Sequence, residues 1–448
     1  MTPGDAPALA ERAAMPPVTE PAALLAARAP AALPAATLRE VVASATDPSP
    51  SPRPPVALYL HVPFCVSLCP YCDFVVYPGA AARGAGSRIA AFVDALLTEV
   101  HLRGDLADAR FPDRPPLASV YLGGGTPSLL RPSALTEILS AVRERFGIAA
   151  GAEVTLEVNP GPTERGDLAA AAVAGVTRVS FGAQSFTAAE LQRLGRRHRP
   201  EDVADAVAAA RDAAIGSVNL DLLYDVPGQT EASWAASLRA ALALVPDHLS
   251  LYALTLDDPA AEGLAGPTGD HLPTPPGARR WRERARRDQD EDRAATQYQD
   301  ATHRLAADGW HGYEISNWAR PGHESRHNLA YWRRLPYEAV GPGAHAFDGE
   351  TRRWNAAPLD AYMASLAEGR LPPGDSEEVD PATAETETVI LALRTSDGVD
   401  AAAVDVPRFR DAVAWALAGG LATRDPDDRV RLTTTGRLLS NALFAKLL

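Results

Sequence analysis

The chain of 448 residues lacks any apolar run near the ~20 residues that span a bilayer as a helix. Its longest apolar stretches, such as Val56–Leu60 and Ala240–Val245, stop far short of that, which excludes a transmembrane helix. Positive charge is in deficit: 43 Lys+Arg against 57 Asp+Glu give a net charge of −14. That balance argues against general nucleic-acid binding, which needs clustered cations for phosphate contacts. No basic start followed by an apolar stretch opens the chain, so no secretory signal is expected. Asp5, Glu11, Glu20, Glu40 and Asp47 among Arg12, Arg28, Arg39 and Arg53 do not fit an acid-poor transit peptide. The expected compartment is the cytoplasm. Cysteine is scarce as well, and three cysteines within eight residues cannot build a disulfide framework.

What is present has the texture of a soluble globular protein, 46% hydrophobic and 22% charged, long enough for two or three domains. Residues 1–55 hold 16 Ala and 12 Pro; proline at this density removes backbone donors, and a disordered extension is expected. From Val56 onward, short β-rich runs appear at Val56–Leu60, Ser119–Leu122, Val154–Val158, Arg178–Phe181, Val218–Leu223 and Leu249–Leu254. Helical periodicity fills the gaps, at Ile89–Leu102, Ser133–Phe146, Arg165–Ala174, Pro200–Ala213 and Glu231–Leu244. Six strands alternating with helices predict an α/β protein built of βα units around a parallel sheet. Ligands of such sheets gather at the carboxyl ends of the strands. The charge-dense run Arg279–Arg293 reads as a solvated helix face or a linker. Four segments follow: the extension over 1–55, the βα unit over 56–300, an aromatic-rich connecting region over 301–380, and a small, mainly helical domain over 381–448.

The three thiols occur as Cys65-Val-Ser-Leu-Cys69-Pro-Tyr-Cys72, on a loop directly after the first strand. Thiolates this close bind soft metals or iron–sulfur clusters. Zinc with His61 as a fourth ligand and free thiols are the alternatives. Three cysteines on a [4Fe–4S] cluster leave one iron open to a small molecule. The C-x3-C-x2-C spacing after the first strand resembles the radical S-adenosylmethionine (SAM) superfamily. The resemblance implies a partial (β/α)6 barrel, a [4Fe–4S] cluster on Cys65, Cys69 and Cys72, and SAM chelated to the open iron.

The next strands end in Gly123-Gly124-Gly125-Thr126, Glu157-Val-Asn159-Pro160 and Phe181-Gly182-Ala183-Gln184, and a fifth carries Asn219-Leu220-Asp221. Buried charged and amide groups are costly unless paired, so several at successive strand ends point to a polar ligand pocket. In this order the motifs resemble the superfamily branch of oxygen-independent coproporphyrinogen III dehydrogenases and heme chaperones. By that resemblance Tyr59, Gly124, Gly125, Thr126, Glu157, Gln184, Arg196 and Asp221 contact SAM, with Arg197 the neighbouring alternative to Arg196. The dehydrogenases resemble C-x3-C-x2-C-x-C, whereas this chain has Phe74 at the fourth position. His327-Asn328-Leu-Ala-Tyr331-Trp332 resembles the chaperones' hallmark, which makes His327 the candidate heme ligand and His323 and His345 its weaker rivals. The resemblance therefore implies a heme carrier that delivers heme to respiratory hemoproteins at the membrane. Its rival is a radical SAM decarboxylase of coproporphyrinogen III. Cluster-dependent dimerisation would leave no local sequence signal.

Overall fold

The computed structural model describes residues 51–256 and 264–448. The Ala/Pro-rich extension lies outside the described residues up to position 50. Strands and helices alternate: β1 (Ala57–Val62), α1 (Ile89–Arg110), β2 (Leu117–Gly124), α2 (Pro132–Phe146), β3 (Ile148–Val158), α3 (Leu168–Ala174), β4 (Arg178–Gln184), α4 (Pro200–Asp212), β5 (Ser217–Tyr224), α5 (Glu231–Ala243) and β6 (His248–Ala253). Local chemistry marks several ends. Pro132 and Pro200 open α2 and α4, Thr230 caps α5 by accepting from Ser233 N–H, and Gly147, at φ 71°, ends α2.

Two further helices follow, α6 (Pro276–Ala285) and α7 (Glu291–Ala307), then a short strand β7 (Asn317–Ala319), helix α8 (Arg326–Trp332) and strand β8 (Tyr337–Val340). β8 pairs in parallel with β1 on the side away from β2. The parallel part of the sheet thus runs β8-β1-β2-β3-β4-β5-β6, one strand more than the sequence predicts. Antiparallel strands extend both edges: β7 beside β6, and His345–Phe347, Thr351–Asn355 and Gly374–Glu378 beyond β8. The architecture is α/β with a mostly parallel sheet.

Side-chain alternation divides that sheet into two unlike faces. Leu58, Leu60, Val62, Val120, Leu122, Val154, Leu156, Val179, Phe181, Val218, Leu220, Leu249 and Leu251 point one way and form the main core with Phe92, Leu96, Ile138 and Val142 of the helices. The other face carries Tyr59, Ser119, Tyr121, Thr155, Glu157, Ser180, Asn219, Asp221, His248 and Ser250. Ser119, Thr155, Ser180, Asn219, His248 and Ser250 are all buried.

After helix α9 (Leu359–Ala367), the last unit begins with α10 (Pro381–Leu393), capped by Asp380, and has its own apolar core around Phe409, Leu443 and Phe444. This unit, expected to be mainly helical, also holds the short strand Arg429–Leu432 in a three-stranded antiparallel sheet with Val399–Asp400 and Ala422–Arg424. Among the described residues no helix is long and apolar enough to cross a membrane.

One buried charge ties β8 and its neighbours to the first βα unit. Glu99 of α1 is fully buried and accepts from Gly341 N–H (2.8 Å), Asn355 Nδ2 (2.8 Å) and Tyr362 OH (2.7 Å), with Arg103 Nε at 3.4 Å. Removing one member strands the others without water. Glu99→Ala is expected to destabilise the fold by about 3–5 kcal/mol, since Arg103 loses its counter-charge in the interior. Chemical denaturation checks this; a loss below ~1 kcal/mol would show that the network is not structural.

Candidate functional site

The three cysteines follow β1 on the loop that leads to α1. The backbone closes a turn there, with Cys72 N–H donating to Cys69 O at 3.0 Å. The loop is held from outside by Arg282 of α6, which donates from Nε to Pro70 O (3.1 Å) and from Nη2 to Cys72 O (2.8 Å). Arg282 lies in the charge-dense run that the sequence presents as a solvated face or a linker, yet it is only 2% exposed. Composition gives no sign of this, because the arginine is buried by tertiary contacts alone.

The glycine turn after β2 packs directly under β1. A Cβ on Gly125 would lie 2.7 Å from the backbone oxygens of both Val62 and Phe64, and one on Gly124, at φ 99°, would enter the His61 ring. Thr126 is thereby set against the cysteine loop, its Oγ1 3.4 Å from Cys65 Sγ and 3.0 Å from Asn159 Nδ2. Gly124 N–H donates to Glu157 Oε2 at 2.9 Å, and Tyr121 OH donates to the other carboxylate oxygen at 2.8 Å. Gln184 closes β4 in the left-handed region, at φ 64°, where the ladder to β5 slips register. A non-glycine residue held there stores backbone strain at the site.

Arg196 reaches in from the segment after β4. It donates to Asn159 Oδ1 (2.5 Å) and Gly182 O (2.8 Å), and its Nη1 is 3.6 Å from Cys69 Sγ. Its neighbour Arg197 turns outward, half-exposed, onto Glu164 at 3.3 Å. Asp221 accepts from Ser180 Oγ (3.0 Å) and Asn219 Nδ2 (2.6 Å). Asn219 also bonds Ser250 and His248, and the other nitrogen of His248 meets Tyr313 OH at 2.8 Å.

These groups surround one cavity of about 1080 Å³. Its lining includes Cys65, Cys69, Cys72, Gly124, Gly125, Thr126, Glu157, Gln184, Arg196 and Asp221. Tyr59 is not on the lining; it packs on Ala339 and Ala346, with its OH on His61 Nδ1 at 3.0 Å. His327 is absent from the lining as well. Its ring is 1% exposed, with Nδ1 3.0 Å from Ser119 Oγ and Nε2 2.8 Å from Tyr331 OH. It belongs to a floor that packs on residues at or near the amino ends of the strands, where Glu153 accepts from the backbone of Arg326 and His327. Binding iron through this ring would take away one of the two bonds and uncover the imidazole. His345 is 44% exposed in its side chain and bonds Asp270 at 2.7 Å, while His323 Nδ1 meets Ser217 Oγ at 3.2 Å.

The chemistry of the lining fits both groups that the cysteine motif implies. The three thiols are free, and no three Cys, His, Asp or Glu side chains among the described residues are placed to hold a single metal ion. A four-iron cluster, by contrast, offers a separate iron to each thiolate. Burial pushes the Cys65 thiol up to about 11 and raises Cys72 as well, so these sulfurs ionise readily only when a cation neutralises them. Thr155 and Arg196 line the same cavity, and Thr155 Oγ1 and Arg196 Nε are buried there without a partner among the described residues, as a polar guest would require. Burial, aided by the charge of Asp221, raises the Glu157 carboxyl to about 7.

Residues 59–241 match the family model of the radical SAM superfamily. A solved structure described as coproporphyrinogen III oxidase (HemN) of Escherichia coli superposes with a TM-score of 0.72 over 93% of each chain, at 22% identity, and so shares the fold. Curated relatives are nearer in sequence. The chain is 38% identical over 400 residues to the heme chaperone HemW of Mycobacterium tuberculosis, which covers 89% of this chain and 96% of that one. To the HemW of Bacillus subtilis it is 31% identical, over 87% and 98% of the two chains. The chain belongs to the HemW family.

The raised carboxyl of Glu157 sets a pH signature. Its ordinary value is 4.5 and its folded value about 7, so between these pH values the unfolded chain has lost a proton that the folded chain keeps. Its contribution to stability is full below pH 4.5 and is lost as pH rises through 7. Glu157→Gln removes this dependence, so the melting temperature of the variant minus that of the native chain is expected to rise from pH 4.5 to pH 7. Thermal unfolding of the ligand-free proteins reads this directly, and a flat difference would contradict it.

Proposed function

We propose that this protein carries heme. In this reading it binds a [4Fe–4S] cluster through Cys65, Cys69 and Cys72, binds SAM across the strand ends, and delivers heme to respiratory hemoproteins from the cytoplasm. The chemistry supplied by such a cluster, when reduced and bound to SAM, is one-electron cleavage of SAM. The chain's own residues do the positioning. Arg282 fixes the cysteine loop, the Gly124–Thr126 turn offers backbone close to the thiols, and Arg196 brings a cation beside Cys69. Glu157 and Asp221 present acceptors from the sheet, and Tyr59 supports this wall from behind. A cavity of about 1080 Å³ exceeds what drug-sized ligands ordinarily fill, leaving room for a guest besides SAM.

The observation that favours the carrier over the decarboxylase is Phe74. It stands where the dehydrogenases have a further cysteine, lines the cavity and is 64% exposed. Tyr252, at 40%, and Leu439, at 51%, are exposed on the same lining. Large apolar side chains left in water around one opening suit a flat apolar guest such as a porphyrin. His327 is the ligand that the hallmark motif suggests for the heme iron. Its two hydrogen bonds give it a structural alternative, and His327→Ala separates them. Loss of thermal stability with an unchanged Soret band would assign the ring to the fold, whereas a shifted Soret band would assign it to iron.

Cys69→Ala is expected to abolish the brown chromophore and acid-labile sulfide after anaerobic reconstitution while far-UV circular dichroism stays native. Unchanged iron content would defeat the cluster assignment. The function itself is tested by incubating reconstituted protein with SAM, reductant and coproporphyrinogen III. No protoporphyrinogen IX is expected, and its formation would overturn the carrier reading.

A further inference from the structure

We propose that Arg394 forms, with Arg437, a carboxylate-binding subsite where the C-terminal unit closes the cavity, and that it holds the acidic edge of a flat, largely apolar guest. The proposal rests on the heme-carrier reading and names the groups that grip the propionates of the cargo.

Arg394 caps the end of α10 and lines the cavity. Its guanidinium lies 5.8 Å from the Trp332 ring centroid and 5.0 Å from that of Phe444. Cation–π contacts of this kind hold the guanidinium beside the rings without supplying an acceptor for its N–H groups. No hydrogen bond or ion pair reaches this guanidinium among the described residues, and its Nε is buried without a partner. The acid that acts on it electrostatically is Glu314, which is fully buried and whose own oxygens accept from Ser316 N–H and Asn317 Nδ2. The guanidinium is part-buried against two rings and meets no acceptor among the described residues, so an anion that arrives in the cavity would find its charge unneutralised.

The surroundings narrow the kind of anion. Arg437 also lines the cavity, donates to the backbone oxygens of Glu314 at 3.2 Å and Gly312 at 3.3 Å, and hydrogen-bonds the Tyr298 hydroxyl, with no carboxylate among its hydrogen-bond partners in the described residues. The C-terminal unit thus contributes two cations and no acid to the lining, together with apolar Leu438 and Leu439. A planar fork beside apolar side chains suits a carboxylate on a mainly apolar body, through paired N–H···O bonds. Histidine does not compete for this part of the guest. The one histidine on the lining, His248, has both ring nitrogens engaged. The geometry also gives Trp332 of the hallmark motif a defined task, which is to hold Arg394 in place at the cavity.

The test compares free acids with esters. Hemin, protoporphyrin IX and the dimethyl ester of each are titrated into the full-length protein, read by Soret absorbance and tryptophan quenching. The native chain is expected to bind each free acid at least about tenfold more tightly than its ester, as one charge-assisted contact supplies. Arg394→Gln should abolish that preference, and Arg394→Lys should retain part of it. Equal affinity for acid and ester in the native chain, or an undiminished preference in Arg394→Gln, would overturn the subsite. Because protoporphyrin IX has no iron, acid preference for it without any hemin binding would defeat the heme-carrier reading while leaving the subsite standing.

Discussion

The architecture depends on one constraint: a parallel sheet covered on both sides carries hydrogen-bonding side chains on one of its faces. Buried groups of this kind are tolerated only where each finds a partner. Two kinds of partner serve here. Near the amino ends of the strands, the segment around Tyr313, Ser325 and His327 meets Glu153, Ser119 and His248 and closes the face. Toward the carboxyl ends the face opens into the cavity, where Thr155 and Arg196 still keep unpartnered atoms. The interior is therefore satisfied at one end and receptive at the other.

The receptive end is composed from distant parts of the chain. The cysteine loop comes from the first βα connection, and Arg282 steadies it from α6, more than two hundred residues later. The carboxylates come from the middle strands, and the last unit supplies two arginines and two leucines. Charges of both signs line the cavity, and what the closing unit adds to them is cations without acids.

Much of this could be read from the amino acids. The six strand runs were legible because apolar residues on alternate positions built one continuous core. Gly124, Glu157, Gln184 and Asp221 stood out as glycine, amide or acid at strand ends, and they share a cavity with the three cysteines. Other features depended on contacts that no local pattern encodes. Tyr337–Val340 is a four-residue strand after a proline and joins the sheet only because β1 offers it a free edge. Arg282 looks like any solvated arginine, and the burial of His327 follows from the floor that covers it. Tyr59, chosen by resemblance, sits behind the wall because its side chain packs toward β8 and its OH turns to His61.

The central claim is that the cavity holds heme in order to pass it on. It is tested most directly by mixing the hemin-loaded protein with a heme-free b-type cytochrome in lipid vesicles and following the Soret band of the acceptor. The account predicts that the acceptor fills at the donor's expense, faster than from an equal concentration of hemin bound to serum albumin. Heme that stays on the loaded protein, or reaches the acceptor no faster than from albumin, would contradict it.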